Sequence, residues 1–257
     1  MPLIFRPTFF SASTLAMVLF MATAHADGPP QAVLSPNWGL GLGVSTETSP
    51  YRGVDTETKA LPVLTYENKY VRLFGPSLDL KLPFTAPMSF ALRARYSDQG
   101  YKASDAAELI DMNERKGGLW LGARADWQLP WAQLGAEWLG DAEDRSGGQQ
   151  IKLDASRRFQ LGGVSLKPHL ALIWQDSSYV DYYYGVRAGE ARDGRASYVG
   201  TSTVNTELGL LVNVPLAQGH SVFMNLSHTV LGSAIKDSPL VERSGVSAVR
   251  AAYVYRF

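Results

Sequence analysis

Cysteine is absent from all 257 residues. That excludes disulfides, thiolate metal sites and cysteine nucleophiles together. Histidine is scarce, and the spacing of His169, His220 and His228 offers no metal site. Surplus charge is missing too. The chain has 24 Lys and Arg against 24 Asp and Glu, so it carries no basic footprint for nucleic acid. Beyond the N-terminal segment no apolar run approaches the roughly 18 residues of a helical membrane span.

The N-terminal segment reads as an export signal. Arg6 supplies a positive charge, Leu15 to Ala22 is unbroken apolar sequence, and Ala24-His25-Ala26 gives a small-x-small cleavage pattern. Residues 1–26 are therefore expected to be a signal peptide, with 27–257 as the mature chain. No cysteine follows the cleavage point to take a lipid anchor. An exported chain without helical spans is either a soluble domain or a membrane barrel.

Apolar and polar residues alternate with period two through most of the mature chain. Leu119, Leu121, Ala123, Ala125 and Trp127 alternate with Trp120, Gly122, Arg124 and Asp126. Trp38, Leu40, Leu42 and Val44 alternate with three glycines, and similar runs cover 88–97 and 203–214. This is the pattern of strands with one apolar and one polar face. Connections alternate as well. Tight turns at Leu129-Pro130, Gly162-Gly163 and Gln218-Gly219 are interleaved with long polar stretches at 45–57, 98–116, 141–148, 176–200 and 232–244. Sorting of loops by parity is a property of transmembrane β-barrels, with short periplasmic turns and long extracellular loops.

The expected fold is all-β, an antiparallel transmembrane β-barrel. Its strands are expected at 37–47, 58–67, 69–75, 77–84, 87–97, 117–128, 131–140, 149–160, 163–175, 201–214, 220–231 and 245–257. That makes about twelve. If Phe74-Gly75-Pro76-Ser77 is a kink within one strand, the admissible even number becomes ten. Arg93, Arg95, Arg124, Asp126, Glu137, Lys152, Asp154, Lys167, Glu207, Arg250 and Arg256 fall on the polar faces. A midplane Arg or Lys facing lipid costs about 2–4 kcal/mol, so these charges are expected to line the lumen. Trp127 and Trp131 beside one turn, and Trp138 and Trp174 near the opposite ends, suit two interfacial girdles.

Catalytic and cofactor signatures are not found. Gly39-Leu40-Gly41-Leu42-Gly43 precedes no helix, so it is not a dinucleotide fingerprint. Ser227 and His228 are adjacent on a strand, point to opposite faces and cannot pair directly. No catalytic, cofactor or metal residue is assigned, and the chain is read as a non-enzyme. The loop Tyr179, Tyr182, Tyr183 and Tyr184 is the candidate interaction surface, since tyrosine offers rigid amphipathic contact area; the same rings could instead pack over the barrel mouth. Ser104 to Arg115 could form a short helix capped by Ser104.

Several segments resemble the MipA/OmpV family of Gram-negative outer-membrane proteins, the MltA-interacting protein and its relatives. They are Ser49-Pro50-Tyr51-Arg52-Gly53, Asp98-Gln99-Gly100-Tyr101-Lys102, Tyr183-Tyr184-Gly185-Val186, Ser238-Pro239-Leu240-Val241 and the terminal Tyr255-Arg256-Phe257. The resemblance implies a barrel in the cell outer membrane. It also implies a scaffold linking a lytic murein transglycosylase to a murein synthase. A small-solute channel is the alternative, and an adhesion-related or lipid-modifying barrel the third reading. The ending with Tyr253, Tyr255 and Phe257 on one face resembles the signal read by the barrel assembly machinery. Outer-membrane lipid and that machinery are thus the further expected partners.

Overall fold

The computed structural model describes residues 37–83 and 86–257. The expected signal peptide, 1–26, lies outside the described residues. Thirteen antiparallel strands follow in order: β1 Asn37–Glu47, β2 Glu57–Glu67, β3 Val71–Phe74, β4 Ser77–Leu82, β5 Met88–Ser97, β6 Gly118–Gln128, β7 Gln133–Asp141, β8 Gln149–Ser156, β9 Phe159–Leu161, β10 Val164–Gln175, β11 Thr203–Ala217, β12 His220–Val230 and β13 Gly245–Arg256. Neighbours pair in sequence, and β13 returns to β1 with Gly39 opposite Arg256 and Glu47 opposite Ala248. The sheet is therefore a closed barrel with no free first or last edge.

β8 and β9 form one stave. Both pair with β10, Ser156 opposite His169 and Phe159 opposite Leu166, in an unbroken register. The interruption falls at Pro168, which has no N–H to give the ladder. The barrel thus has twelve staves. The doubtful stretch at Gly75-Pro76 is a two-residue hairpin with Phe74 opposite Ser77. Gly75 takes φ +54°, a left-handed value that suits glycine at the first central position of a tight hairpin turn.

The distribution of side chains is inverted relative to a soluble domain. Leu42 is 73% exposed and Leu208 63%, whereas Arg93 and Glu137 are each 4% exposed. Leucines on the outer face are stable only in contact with lipid. Strands of 11 residues tilted by roughly 40° rise about 28 Å, enough to cross an apolar band of about 25 Å. Among the described residues no helix is long and apolar enough to cross a membrane. Trp127, Trp131 and Trp138 are all outward and exposed. At the periplasmic end the Trp38 and Tyr66 rings lie 4.3 Å apart.

The β3–β4 hairpin is much shorter than its neighbours. β2 pairs with β3 only over Thr65 to Glu67, so Glu57 to Val63 have no strand on that edge. Pro62 sits in this stretch, where a missing N–H costs least. Lys59 Nζ reaches Asp98 Oδ2, just beyond β5, at 2.8 Å and spans the notch.

Glycine decides how the barrel closes. Gly39, Gly41 and Gly43 of β1 point inward, while Leu40, Leu42 and Val44 point outward. A Cβ built on Gly41 would lie 2.0 Å from the Tyr253 carbonyl oxygen. Only glycine permits so close an approach of β1 to β13.

Candidate functional site

The lumen and its outer mouth hold the polar chemistry. Alternation on β4 to β7 turns Asp79, Arg93, Arg95, Arg124, Asp126 and Glu137 inward, where all are buried. Asp79 accepts from Arg72 at 2.6 Å and from Arg93 Nε at 2.6 Å. Glu137 is shared between Arg93 and Arg95, the latter at 2.7 Å. Arg124 meets Asp126 at 2.7 Å and Asp154 at 3.0 Å. Glu207 accepts from Lys152 at 2.8 Å and lies 3.1 Å from His169 Nε2. Across the barrel Arg250 pairs with Glu47, and Arg256 stacks over the Phe223 ring at 5.6 Å.

A smaller apolar patch, Val63, Phe74, Phe223, Ala252 and Val254, lies inside β2, β3, β12 and β13. Charged and apolar side chains thus both project into the lumen. The sequence reading placed the charged residues on inward faces but did not single out Arg72, Asp79 or His169. The signal for Asp79 was available in the alternation of Leu78, Leu80 and Leu82 with Asp79 and Lys81.

Above the lumen the long loops build a second core. Tyr51, Tyr101, Leu109, Met112, Trp120, Leu139, Tyr179, Tyr183, Ile235, Leu240 and others pack together as one buried cluster. Helix α1, Ser177–Tyr184, brings the tyrosines to it. The Asp176 carboxylate caps that helix by accepting the Tyr179 N–H at 2.9 Å, a standard use of aspartate at a helix start. The Tyr51 ring lies 4.8 Å from Tyr101 and 5.6 Å from Tyr184, and its hydroxyl donates to the Tyr183 carbonyl at 3.2 Å. α2, Ser233–Lys236, closes the far side through Ile235.

Of the two readings of the tyrosine loop, packing over the barrel mouth is the one seen, and the expected helix changes. Tyr179, Tyr183 and Tyr184 do not form a contact surface, because all three are buried at 2–4% exposure in the cap. Tyr182 alone keeps partial exposure, with its hydroxyl accepting the Lys116 N–H at 2.9 Å. Nor does 104–115 form an α-helix. Only Ala107–Leu109 takes a single 3₁₀ turn, and Ala106 rather than Ser104 precedes it.

An ion pair that the sequence did not reveal pins the cap. Arg115 Nη2 binds Glu190 at 2.8 Å, and Arg115 Nε donates to the Tyr182 carbonyl at 2.7 Å. Burial by itself would raise the Glu190 carboxyl. The Arg115 guanidinium and the backbone N–H groups of Arg187 and Asn113 outweigh burial and hold it below the ordinary value of 4.5. Because the folded value is depressed, the stabilisation is fully present above 4.5 and is lost as pH falls through the lower folded value. Protease cleavage within 176–202 on intact outer membranes should rise as pH is lowered from 7 to about 3. Glu190→Gln should flatten that dependence, and a profile unchanged by the substitution would rule Glu190 out as its source. Burial also pushes the Tyr101 phenol up to about 12, so its ionisation follows that of exposed tyrosines.

His228 meets a serine, but not its neighbour. Ser227 lines the lumen, whereas His228 points outward and its Nδ1 lies 2.9 Å from Ser247 Oγ on β13. The pairing follows from cross-strand register, which the linear sequence does not display. Among the described residues no carboxylate is hydrogen-bonded to this ring, so the third group that would orient a catalytic base is not in place.

A closed antiparallel barrel with a leucine belt outside and ion pairs inside is an outer-membrane β-barrel. The chain belongs to the family described as MltA-interacting protein MipA, whose profile matches residues 40–257. It is 27% identical over 252 residues to the MltA-interacting protein of Escherichia coli K12, covering 95% of this chain and 98% of that one. It is 27% identical over 161 residues to the outer membrane protein OmpV of Vibrio cholerae, covering 63% of each. Among solved structures, an outer membrane channel from Pseudomonas putida F1 aligns with 90% of this chain and 99% of its own, at 15% identity and TM-score 0.45. The protein therefore resides in the outer membrane.

The family segments also acquire a location. Tyr51 bridges Val241, and the Arg52 N–H donates to the Leu240 carbonyl at 2.8 Å. Ser238 Oγ donates to the Tyr184 carbonyl at 2.6 Å, and Tyr101 bridges Arg115. Four short sequences spread along the chain are one cap in space.

Proposed function

We propose that this barrel is a closed scaffold that acts through its surfaces, holding a lytic murein transglycosylase and a murein synthase at the outer membrane. One observation carries the closed state. A buried aromatic cluster covers the outer mouth, and ion pairs line the lumen wall below it. A barrel capped in this way restricts the passage of solutes and offers a rigid anchor to a partner. The name of the Escherichia coli relative supports the murein side of the reading. The reading assigns the protein no catalytic residue.

Two measurements test it. In planar bilayers the purified protein should stay silent at low voltage, and stable openings would favour the channel reading instead. Immobilised protein should retain a murein transglycosylase from periplasmic extract. Failure to enrich one would remove the scaffold role and leave the barrel intact.

The same reading gives Tyr253, Tyr255 and Phe257 a role in assembly. The Phe257 N–H donates to the Trp38 carbonyl at 3.0 Å, and the Tyr255 and Phe257 rings sit 6.2 Å apart on the outer face. Deleting Phe257 should lower the amount of folded barrel in outer membranes several-fold. Normal levels of the deletion variant would show that this residue only completes a strand.

A further inference from the structure

The charge arrangement on one side of the lumen is odd-numbered. Arg72, Asp79, Arg93, Glu137 and Arg95 form one chain of contacts, in which three guanidiniums share two carboxylates. Arg124, next along the wall, already has both Asp126 and Asp154. Arg72 donates twice to Asp79, whereas Arg95 has a single bond to Glu137 and is the member short of acceptors. The Arg95 side chain is only 6% exposed, and its Nε and Nη1 have no hydrogen-bond partner. A buried guanidinium with idle donors is costly unless an acceptor completes it.

Those donors have a place to act. Arg95 lines a lumen cavity of about 60 Å³ together with Arg250 and Ser156. Arg250 Nε and Ser156 Oγ are likewise buried without a partner. Seven Lys and Arg side chains line this cavity against four Asp and Glu. That volume is several times the roughly 10–15 Å³ that one water needs by the same measure, so the space admits a small ligand.

We infer that the lumen at Arg95 is a binding site for a small monoanion of the carboxylate class, held by the idle donors of that guanidinium. Arg124, Lys152 and Arg250 have carboxylates of their own, and the chain from Arg72 to Arg95 is left with one surplus positive charge, which a monoanion would neutralise. Guanidinium N–H groups suit planar carboxylate oxygens, as they already do at Asp79 and Glu137. The site is independent of whether the barrel binds murein enzymes.

Formate is the probe. Titration calorimetry on the full folded protein in detergent should show saturable binding of one formate. In Arg95→Gln the affinity should fall at least about tenfold, the usual scale for losing a charge-assisted hydrogen bond. Sulfate should not compete in the same concentration range. Absence of saturable formate binding, equal binding in Arg95→Gln, or equal competition by sulfate would each overturn the assignment. Gel mobility before and after boiling checks that the variant is folded. If it is not, the wild-type titrations with formate and sulfate decide the matter alone.

Discussion

Glu137→Ala should lower the stability of the folded barrel by about 3–5 kcal/mol, the usual cost of breaking a buried charge pair from one side. Glu137 is 4% exposed and accepts from both Arg93 and Arg95, so its removal leaves two buried guanidiniums short of a carboxylate. Neither can turn to solvent, because each is also buried. Unfolding in urea, followed by loss of the fast-migrating form on unboiled gels, measures the effect. Lys81→Ala is the matched control. The Lys81–Glu67 pair spans 2.6 Å but is 30% and 38% exposed, and an exposed pair contributes only about 0–1 kcal/mol. A Glu137→Ala midpoint no lower than that of Lys81→Ala would show that water in the lumen compensates the guanidiniums.

Tyr183→Ala should open the cap without unfolding the barrel. The Tyr183 ring is 2% exposed and lies 4.8 Å from both the Tyr179 and Tyr182 rings. Truncating a buried aromatic costs about 3–5 kcal/mol, more than a set of loops can lose and stay closed. The cap cluster and the lumen's apolar patch share no residue, so the damage is confined to the loops. Protease added to intact cells should then cut within 176–202, while the protected barrel keeps its unboiled gel mobility. An uncut chain would mean that the remaining cap contacts suffice. Loss of the barrel form would mean that the two cores are coupled. If the closed state depends on the cap, this variant is also the one in which to look for conductance.

Period-two alternation and loop parity are enough, without coordinates, to reach an outer-membrane barrel. The reason is physical. A strand in lipid must place every charge on one face and every leucine on the other, so the rule is written residue by residue along Leu119 to Gln128 and again along Val249 to Arg256. Gly75 before Pro76 left a hairpin and a kink both open, and the pairing of Phe74 with Ser77 decides for the hairpin. Boundaries shifted where a backbone partner decided them, as at Pro168, whose missing N–H acts on the strand beside it.

What depended on the tertiary structure is everything that needs two distant residues to meet. The inward face of each strand is legible from its own sequence, but which carboxylate each arginine meets is set by strand register and barrel curvature. Hence Arg93 joins Asp79 on one side and Glu137 on the other, and Arg95 is left with idle donors. The tyrosines of 179–184 carry the same chemistry whether they face a partner or a core. Only the convergence of the loops around Tyr51, Tyr101 and Leu240 turns them inward and seals the mouth. The sequence by itself determined a membrane barrel with a polar interior, because that information is local and periodic. The tertiary structure decided that the barrel is capped and which charges pair inside it, because both depend on side chains brought together from distant parts of the chain.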